Sequence, residues 1–382
     1  MRTAASRLAF IDALKAIASQ LIVLHHLAFY GPMSDVAHDL APALISWLSQ
    51  DARIAVQVFL VIAGFLAARA LAPQGKLLAG NPLALLQSRY FKLVVPYFAA
   101  LLFAIVCAAF AGQLMDHDSI PDAPGTLQLA AHALLLQNLL GFGALSAGVW
   151  YIAIDFQLFA LLLGTLWLAG RLGANIDGTR VLGVIFVTLL AGASLFFFNR
   201  DSSWDDWALY FFGSYALGVL TYWASTRKHS LDWLGLIAAA VVVALLIDFR
   251  SRIAVALIVA LALGITRRTG TLETWPKGSV IAYLGQISYS VFLVNFPVAL
   301  VVNALFAHFA PDNTQVNALG ILVAWLACVL VGAAFHRYVE CRTRQVQHWV
   351  VKTGAWLLQP LRQIRPLQRL ADWLTLILRV RP

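Results

Sequence analysis

The sequence predicts an all-α, polytopic membrane protein with about ten transmembrane helices and both termini in the cytoplasm. Hydrophobic residues make up 61% of the 382 residues and charged residues only 12%, about half the charged share of an average soluble domain. Several apolar runs approach the ~20 residues that cross a bilayer. Because a helix satisfies its backbone polar groups within its own segment, such runs are expected to be helical.

Ten spans follow from hydropathy and from the preference of basic residues for the cytoplasmic side. They cover roughly residues 10–30, 54–72, 92–112, 149–169, 181–199, 208–224, 232–248, 252–266, 279–303 and 318–338. With this assignment the opposite side holds only four arginines, Arg53, Arg200, Arg250 and Arg252. The net charge of +9 is therefore explained by membrane orientation, and no nucleic-acid partner is expected.

The segment from Leu127 to Leu145 is apolar enough to suggest another span, yet it contains His132, Gln137 and Asn138. A crossing here would move every later basic loop to the outside. We therefore expect an interfacial or re-entrant element on the outer face, where irregular backbone can line a cavity.

The chain divides into a membrane domain, residues 1–340, and a basic amphipathic cytoplasmic tail, residues 341–382. In the tail, tryptophans and leucines alternate with arginines, and Pro360 and Pro366 interrupt it. Such a segment suits the surface of anionic cytoplasmic lipid. A docking surface for a partner is the alternative.

The first helix carries ionisable groups at Asp12, Lys15, His25 and His26, and such groups within a span usually face a protein interior or a water-filled cavity. Lys15 and His26 lie within roughly 20° of each other around the helix and about 16 Å apart in depth. Asp12 falls near the same face, whereas His25 lies about 80° away. In the alternative interpretation, the Lys15 side chain extends to the lipid headgroups, and His26 caps the end of the helix at the headgroups and has no catalytic role.

Four further stretches place polar groups at membrane depth or at its edge. They are residues 53–66, 88–96, 150–157 and 284–295. Together with the first helix they resemble, in the same order, motifs of the acyltransferase 3 family, bacterial inner-membrane enzymes that acylate surface and secreted glycans. The resemblance runs from Asp12 to about Glu340.

The aspartate, arginine and histidine of the family's first helix fall on Asp12, Lys15 and His26. The family's Leu-Gly-x-Ile-Ser-Tyr-Ser motif is present at 284–290, and its Trp-x-Leu-x-x-Glu-x-Gln motif resembles 150–157, with Asp155 in place of glutamate. Residues 59–65 resemble its Phe-Phe-x-x-Ser-Gly-Phe motif, and Arg89 and Lys92 match its arginine pattern imperfectly. Asn295 stands where members commonly have a histidine.

The resemblance implies transfer of an acyl group, acetyl above all, from cytoplasmic acyl-CoA to a hydroxyl of an external glycan or glycolipid. Histidine is the usual base near pH 7, so His26 is predicted to be the general base or a transient acyl carrier. Asp12 or Asp155 is predicted to orient a histidine or to pair with Lys15. Lys15, Arg89 and Lys92 are predicted to hold CoA phosphates. The residues predicted to contact the acceptor are His25, Trp150, Tyr151, Gln157 and Asn295.

Other interpretations of these residues remain. Arg89 and Lys92 also satisfy the orientation rule without a ligand, and Trp150 and Tyr151 also suit the aromatic belt at the membrane surface. A transporter that uses the ionisable groups as a relay is the alternative function, although neither internal repeats nor paired broken helices are visible. No metal site is expected, and the sequence does not predict an oligomeric state.

Overall fold

The computed structural model describes residues 7–78, 80–173, 179–343 and 345–346. All regular secondary structure in these ranges is helical, and it includes thirteen α-helices together with short 3-10 turns. In chain order the helices are α1 Ala9–Phe29, α2 Pro32–Ala37, α3 Pro42–Gln50, α4 Val56–Leu71, α5 Pro82–Ala111, α6 Thr126–Ala133, α7 Val149–Leu172, α8 Thr179–Phe196, α9 Ala208–Ala224, α10 Ser230–Ile247, α11 Ser251–Arg268, α12 Ser279–Phe309 and α13 Thr314–Tyr338.

Every predicted span coincides with one of these helices. Among the described residues, eight segments are long and apolar enough to cross a membrane: Ala9–Phe29, Ala52–Leu71, Pro82–Ala111, Val149–Leu172, Thr179–Arg200, Ser230–Ile247, Ser279–Phe309 and Thr314–Arg342. The other two helices are α9, with 17 residues, and α11, which carries three arginines. The all-helical membrane class is confirmed, whereas the count of ten and the cytoplasmic termini stay predictions. The predicted tail lies outside the described residues, apart from 341–343 and 345–346.

Two helices are longer than a membrane requires. α5 has 30 residues and α12 has 31, or about 45 Å each. α5 begins ten residues before the predicted third span because Asn81 accepts a hydrogen bond from the Leu83 amide and Pro82 occupies the first turn, where its missing N–H costs nothing. Pro96 and Pro297 lie inside these helices, as neighbouring helices in a membrane bundle permit.

Glycines set the closest helix contacts. A Cβ on Gly285 of α12 would lie 2.1 Å from the Asp12 carbonyl oxygen of α1, and one on Gly64 of α4 would lie 1.9 Å from the Tyr215 carbonyl oxygen of α9. Only a residue without a side chain fits such approaches. α1 and α12 run parallel, since α12 meets Asp12 at Gly285 and His26 at Asn295.

The segment predicted to be interfacial forms only the eight-residue helix α6, about 12 Å long, followed by turns up to Gly148. No helix in it is long enough to cross a membrane, as expected. Asn138 Nδ2 donates to Asp206 Oδ1 at 2.9 Å, which joins this segment to the loop before α9.

The bundle has two polar ends. The end where residues 49–54, 138, 205–206 and 249–252 surround one opening is called the cavity end. At the other end, called the Lys15 end, the Phe10 amide donates to the Leu272 carbonyl and Trp223 Nε1 donates to the Ala72 carbonyl. α1 connects the two ends.

Candidate active site

A cavity of about 930 Å³ opens at the cavity end, within the size range of small-molecule sites. His25 and His26 lie on its wall. Its polar and aromatic lining includes Phe29, Tyr30, Asp51, Arg53, Gln57, Asn138, Trp150, Asp205, Asp206, Tyr210, Phe211, Phe249, Arg250 and Arg252. The last turn of α1 therefore faces a polar, water-accessible space, as the charged first helix predicted.

His26 is held by Asn295. The two side chains, 269 residues apart in sequence, meet with Nδ1 of His26 2.5 Å from Oδ1 of Asn295. The Asn295 amide has a fixed orientation, because its Nδ2 donates to the carbonyls of Val291 and Phe292. Its Oδ1 must then accept, so His26 donates from Nδ1–H. The neutral imidazole consequently keeps its lone pair on Nε2.

The Nε2 atom of His26 is available for chemistry. His26 lines the cavity, and no described residue hydrogen-bonds to its Nε2. A group that fixes one ring nitrogen as donor fixes the other as acceptor. The predicted base is thus in the tautomer that accepts a proton from a hydroxyl in the cavity.

His25 has a different partner. Its Nδ1 lies 3.0 Å from the carbonyl oxygen of Leu48 in α3, and its ring centroid is 5.4 Å from that of His26. Both histidines line the same cavity, so the 80° separation on the helix does not remove His25 from the site. Contact of His25 with the acceptor stays a prediction.

Asp12 and Lys15 lie at the Lys15 end, far from the histidines. Asp12 accepts from Arg7 Nε at 2.8 Å and lies 4.0 Å from Lys15 Nζ. Fourteen residues along α1 separate Asp12 from His26, or about 21 Å. The structure therefore does not bring Asp12 to a histidine, and of its two predicted roles only the pairing with Lys15 is seen.

Arg89 and Asp155 are paired with each other. Arg89 NH2 lies 2.5 Å from Asp155 Oδ2, and the Asp155 side chain is only 5% exposed. The guanidinium also lies over the ring of Phe159. α5 begins at Pro82, so Arg89 lies two turns inside the helix. Contrary to prediction, Asp155 bonds neither a histidine nor Lys15. Arg89 is paired with Asp155, and its predicted role toward a CoA phosphate stays a prediction. Lys92 is exposed.

The other predicted acceptor residues divide into two groups. Trp150 lines the cavity, with its ring centroid 5.6 Å from that of Phe211. Tyr151 is buried against Phe292 and Phe59, and Asn295 is fully buried behind His26. Gln157 also stands apart from the cavity, and its Nε2 is buried without a hydrogen-bond partner among the described residues. Of these, only Trp150 is placed to touch an acceptor.

Two features of the site were not predicted from the sequence. The first is the set of three cavity arginines, Arg53, Arg250 and Arg252. The sequence showed them only as exceptions to the preference of basic residues for the cytoplasmic side, which is called the charge rule below. The second is Glu340, which accepts from Ser290 Oγ at 2.5 Å and lies 3.0 Å from Nδ1 of His336. Ser290 closes the motif at 284–290, so its position in that motif was the available indication. No three His, Cys, Asp or Glu side chains in the described ranges are arranged to hold a metal.

Fold and site together define a polytopic α-helical membrane protein that presents an oriented imidazole to a polar cavity. The family model described as an acyltransferase domain, acyltransferase 3, matches residues 8–337, so the chain belongs to that family. It is a membrane acyltransferase that transfers groups other than aminoacyl groups. Comparison with curated proteins gave no match, and comparison with solved structures gave none either.

Proposed function

We propose that the protein moves an acetyl or similar small acyl group from cytoplasmic acyl-CoA to a sugar hydroxyl of an external glycan or glycolipid, across the bacterial inner membrane. The observation that carries this proposal is His26, whose Nε2 is left as an acceptor at the wall of a polar cavity. In this orientation the cavity end faces the periplasm and the Lys15 end faces the cytoplasm.

His26 suits the chemistry of O-acyl transfer. The acceptor hydroxyl donates to Nε2, and the base takes the proton as the hydroxyl oxygen attacks the thioester carbonyl. The C–S bond then breaks, and the leaving thiolate takes the proton back. Asn295 Oδ1 stabilises the imidazolium through Nδ1–H. The alternative, in which Nε2 itself carries the acyl group before the hydroxyl attacks, uses the same tautomer.

The cavity lining suits a sugar. Aromatic rings such as Tyr30 and Trp150 offer apolar faces to the C–H side of a pyranose, while Asp205 and Asp206 offer acceptors to its hydroxyls. Specific pockets commonly combine aromatic walls with a few placed polar groups. His25, on the same wall, would contact the acceptor beside His26.

The donor would enter at the Lys15 end. Lys15 and Lys92 remain the proposed partners of CoA phosphates, and Arg89 is paired with Asp155. Lys15 lies about 16 Å from His26 along α1, so the pantetheine arm would have to extend along this helix to bring the thioester to Nε2.

The decisive experiment compares surface and secreted glycans of a wild-type strain, a strain lacking this gene and a complemented strain by mass spectrometry. Loss of one fixed acyl mass in the deletion strain, restored by complementation, is the expected result. Unchanged glycan masses, with uptake or export of a solute altered instead, would overturn the proposal and favour the transporter.

A further inference from the structure

Arginines are scarce on the side of the chain assigned to the periplasm, as the charge rule requires. Of the four present, Arg53, Arg250 and Arg252 line the cavity. The fourth, Arg200, does not line it and lies 3.5 Å from Asp248. Three arginines therefore surround one opening on the face where a membrane protein normally has few basic residues. This clustering indicates that their positive charge has a role.

Arg250 is built into the wall. It is 8% exposed, its NH1 donates to Asn199 Oδ1 at 2.8 Å, and its Nε donates to the Asp248 carbonyl. Asn199 is itself fixed, because its Nδ2 donates to the Tyr210 carbonyl. The remaining nitrogen, NH2, is buried and has no partner among the described residues. An unpaired buried donor is costly unless something outside the chain accepts from it.

Arg252 is held beside it. Its NH2 donates to the Asn199 carbonyl at 3.3 Å, and its guanidinium lies 4.7 Å from the centre of the Tyr210 ring. The same two residues, Asn199 and Tyr210, therefore position both arginines. Such rigid guanidinium groups lose little freedom when they bind an oxyanion.

The acidic residues of the cavity do not neutralise these arginines directly. In the described part of the chain, none of Asp51, Asp205 and Asp206 forms an ion pair with a cavity arginine. Asp206 instead accepts from Asn138, and burial together with the neighbouring Asp206 raises the pKa of Asp205. Outside the cavity lining, Asp248 Oδ2 lies 3.5 Å from Nε of Arg250. The remaining NH2 of Arg250 and the guanidinium groups of Arg252 and Arg53 are therefore the donors available to a ligand.

We propose that Arg250 and Arg252, with Arg53 on the wall of the same cavity, bind a phosphate or phosphodiester group carried by the acceptor. Three guanidinium groups suit phosphate better than carboxylate. A phosphate group has more oxygen atoms than a carboxylate, so it can accept hydrogen bonds from several guanidinium groups at once. The inference rests on the proposed function and narrows its acceptor to a phosphate-bearing sugar, with His26 acting on a hydroxyl of the same molecule.

The test measures binding rather than transfer. Full-length protein in phosphatidylcholine nanodiscs is titrated with glucose 1-phosphate and, separately, with glucose, using saturation-transfer NMR and no acyl donor. The wild type should bind glucose 1-phosphate at least tenfold more tightly than glucose. Arg252→Gln and Arg53→Gln should each weaken that preference by about tenfold, the size expected for a lost charge-assisted hydrogen bond. Arg252→Lys, which keeps the positive charge, should weaken the preference for glucose 1-phosphate less than Arg252→Gln does.

Arg200→Gln is the matched control, because Arg200 does not line the cavity. Its partner Asp248 keeps Arg250 as a cation 3.5 Å away, so the variant should leave binding unchanged. Melting temperatures verify that each variant is folded, and Arg53, which makes no hydrogen bond to a described residue, keeps the test valid if Arg252→Gln is unstable. Equal binding of glucose and glucose 1-phosphate, or an equal effect of Arg200→Gln, would overturn the inference.

A second arm separates an acceptor phosphate from a lipid headgroup. Replacing a third of the phosphatidylcholine by phosphatidylglycerol should leave glucose 1-phosphate binding intact. Its abolition would assign the arginines to membrane lipid and overturn the inference for the acceptor. Glycan masses in the deletion strain test the proposed function independently, so the two proposals can fail separately.

Discussion

Arg89 of α5 and Asp155 of α7 form an ion pair in which NH2 lies 2.5 Å from Oδ2. Each belongs to a helix long and apolar enough to span a membrane, where a lone charge is expensive. The ion pair therefore links the two helices, because each buried charge is compensated by the charge on the other helix.

Arg89→Gln should destabilise the protein by about 3–5 kcal/mol, since it leaves the Asp155 carboxylate buried and unpaired. The double variant Arg89→Met/Asp155→Leu should recover most of that loss, because it removes both charges. Thermal unfolding in detergent measures the difference, with Lys228→Gln, an exposed cation between α9 and α10, as control. Equal destabilisation of the single and double variants would show that packing, not charge pairing, holds α5 to α7.

His26→Ala should abolish acylation while the protein still inserts and accumulates normally, because the base at the cavity wall is lost. His25→Ala should retain measurable activity, since His25 donates to the Leu48 carbonyl and is not the proposed base. Acyl mass on the glycan and immunoblots of membranes provide both readouts. Comparable loss in the two variants, or full activity without His26, would refute the assignment.

Asn295→Leu should lower acylation per molecule by roughly five- to a hundredfold, corresponding to the ~1–3 kcal/mol cost of leaving His26 Nδ1–H unsatisfied. Asn295→Asp should retain more activity, because a carboxylate also accepts from Nδ1–H. Asn303→Ala is the control: Asn303 is equally buried on α12 but accepts from the Met33 amide. It should reduce stability without changing the rate per folded molecule, and an equal rate loss in Asn303→Ala would indicate a general packing effect.

Lys15→Arg should retain or improve use of acyl-CoA, whereas Lys15→Met should weaken its apparent affinity by roughly ten- to a hundredfold, as expected when a charge-assisted contact of ~1.5–3 kcal/mol is lost. The ion pair between Arg7 and Asp12 means that Asp12 keeps a cationic partner in Lys15→Met. Titration of acyl-CoA in membrane vesicles measures the affinity. If Asp12→Asn/Lys15→Met restores normal affinity, Lys15 is only the partner of Asp12.

The orientation predicts which cysteines an impermeant thiol reagent labels in intact cells lacking the native cysteines. Ser119→Cys lies before α6, and Ala144→Cys lies at the exposed end of the segment; both should react from the periplasm. Lys228→Cys, exposed between α9 and α10, should react only after the membrane is permeabilised. Reaction of Ala144→Cys from the cytoplasmic side alone would mean that the segment crosses and that the ten-span topology is wrong.

The sequence predicted the helical class and the positions of all ten long helices, because apolar run length depends only on local composition. It also predicted that His26 would face a polar space. The early start of α5 was not predicted: the third span was placed from residue 92, although Asn81 and Pro82 form a helix-starting pair. The interfacial position of Arg89 and Lys92 stays a prediction.

The partners within the site were beyond prediction. The contacts His26–Asn295 and Arg89–Asp155 join residues 269 and 66 positions apart, and no local pattern encodes such distances. The cavity arginines were visible as exceptions to the charge rule, yet only the fold shows that Arg250 and Arg252 share Asn199.

Gly64 and Gly218 keep α4 and α9 in backbone contact. A Cβ at either glycine would lie within 2.0 Å of a carbonyl oxygen of the other helix, so these two helices leave no space between them at that level. The rings of Phe59, Tyr151 and Phe292 also pack against one another, next to the cavity that Phe292 lines. If the acyl group follows the proposed route from Lys15 to His26, the size of these three rings should determine which acyl groups pass.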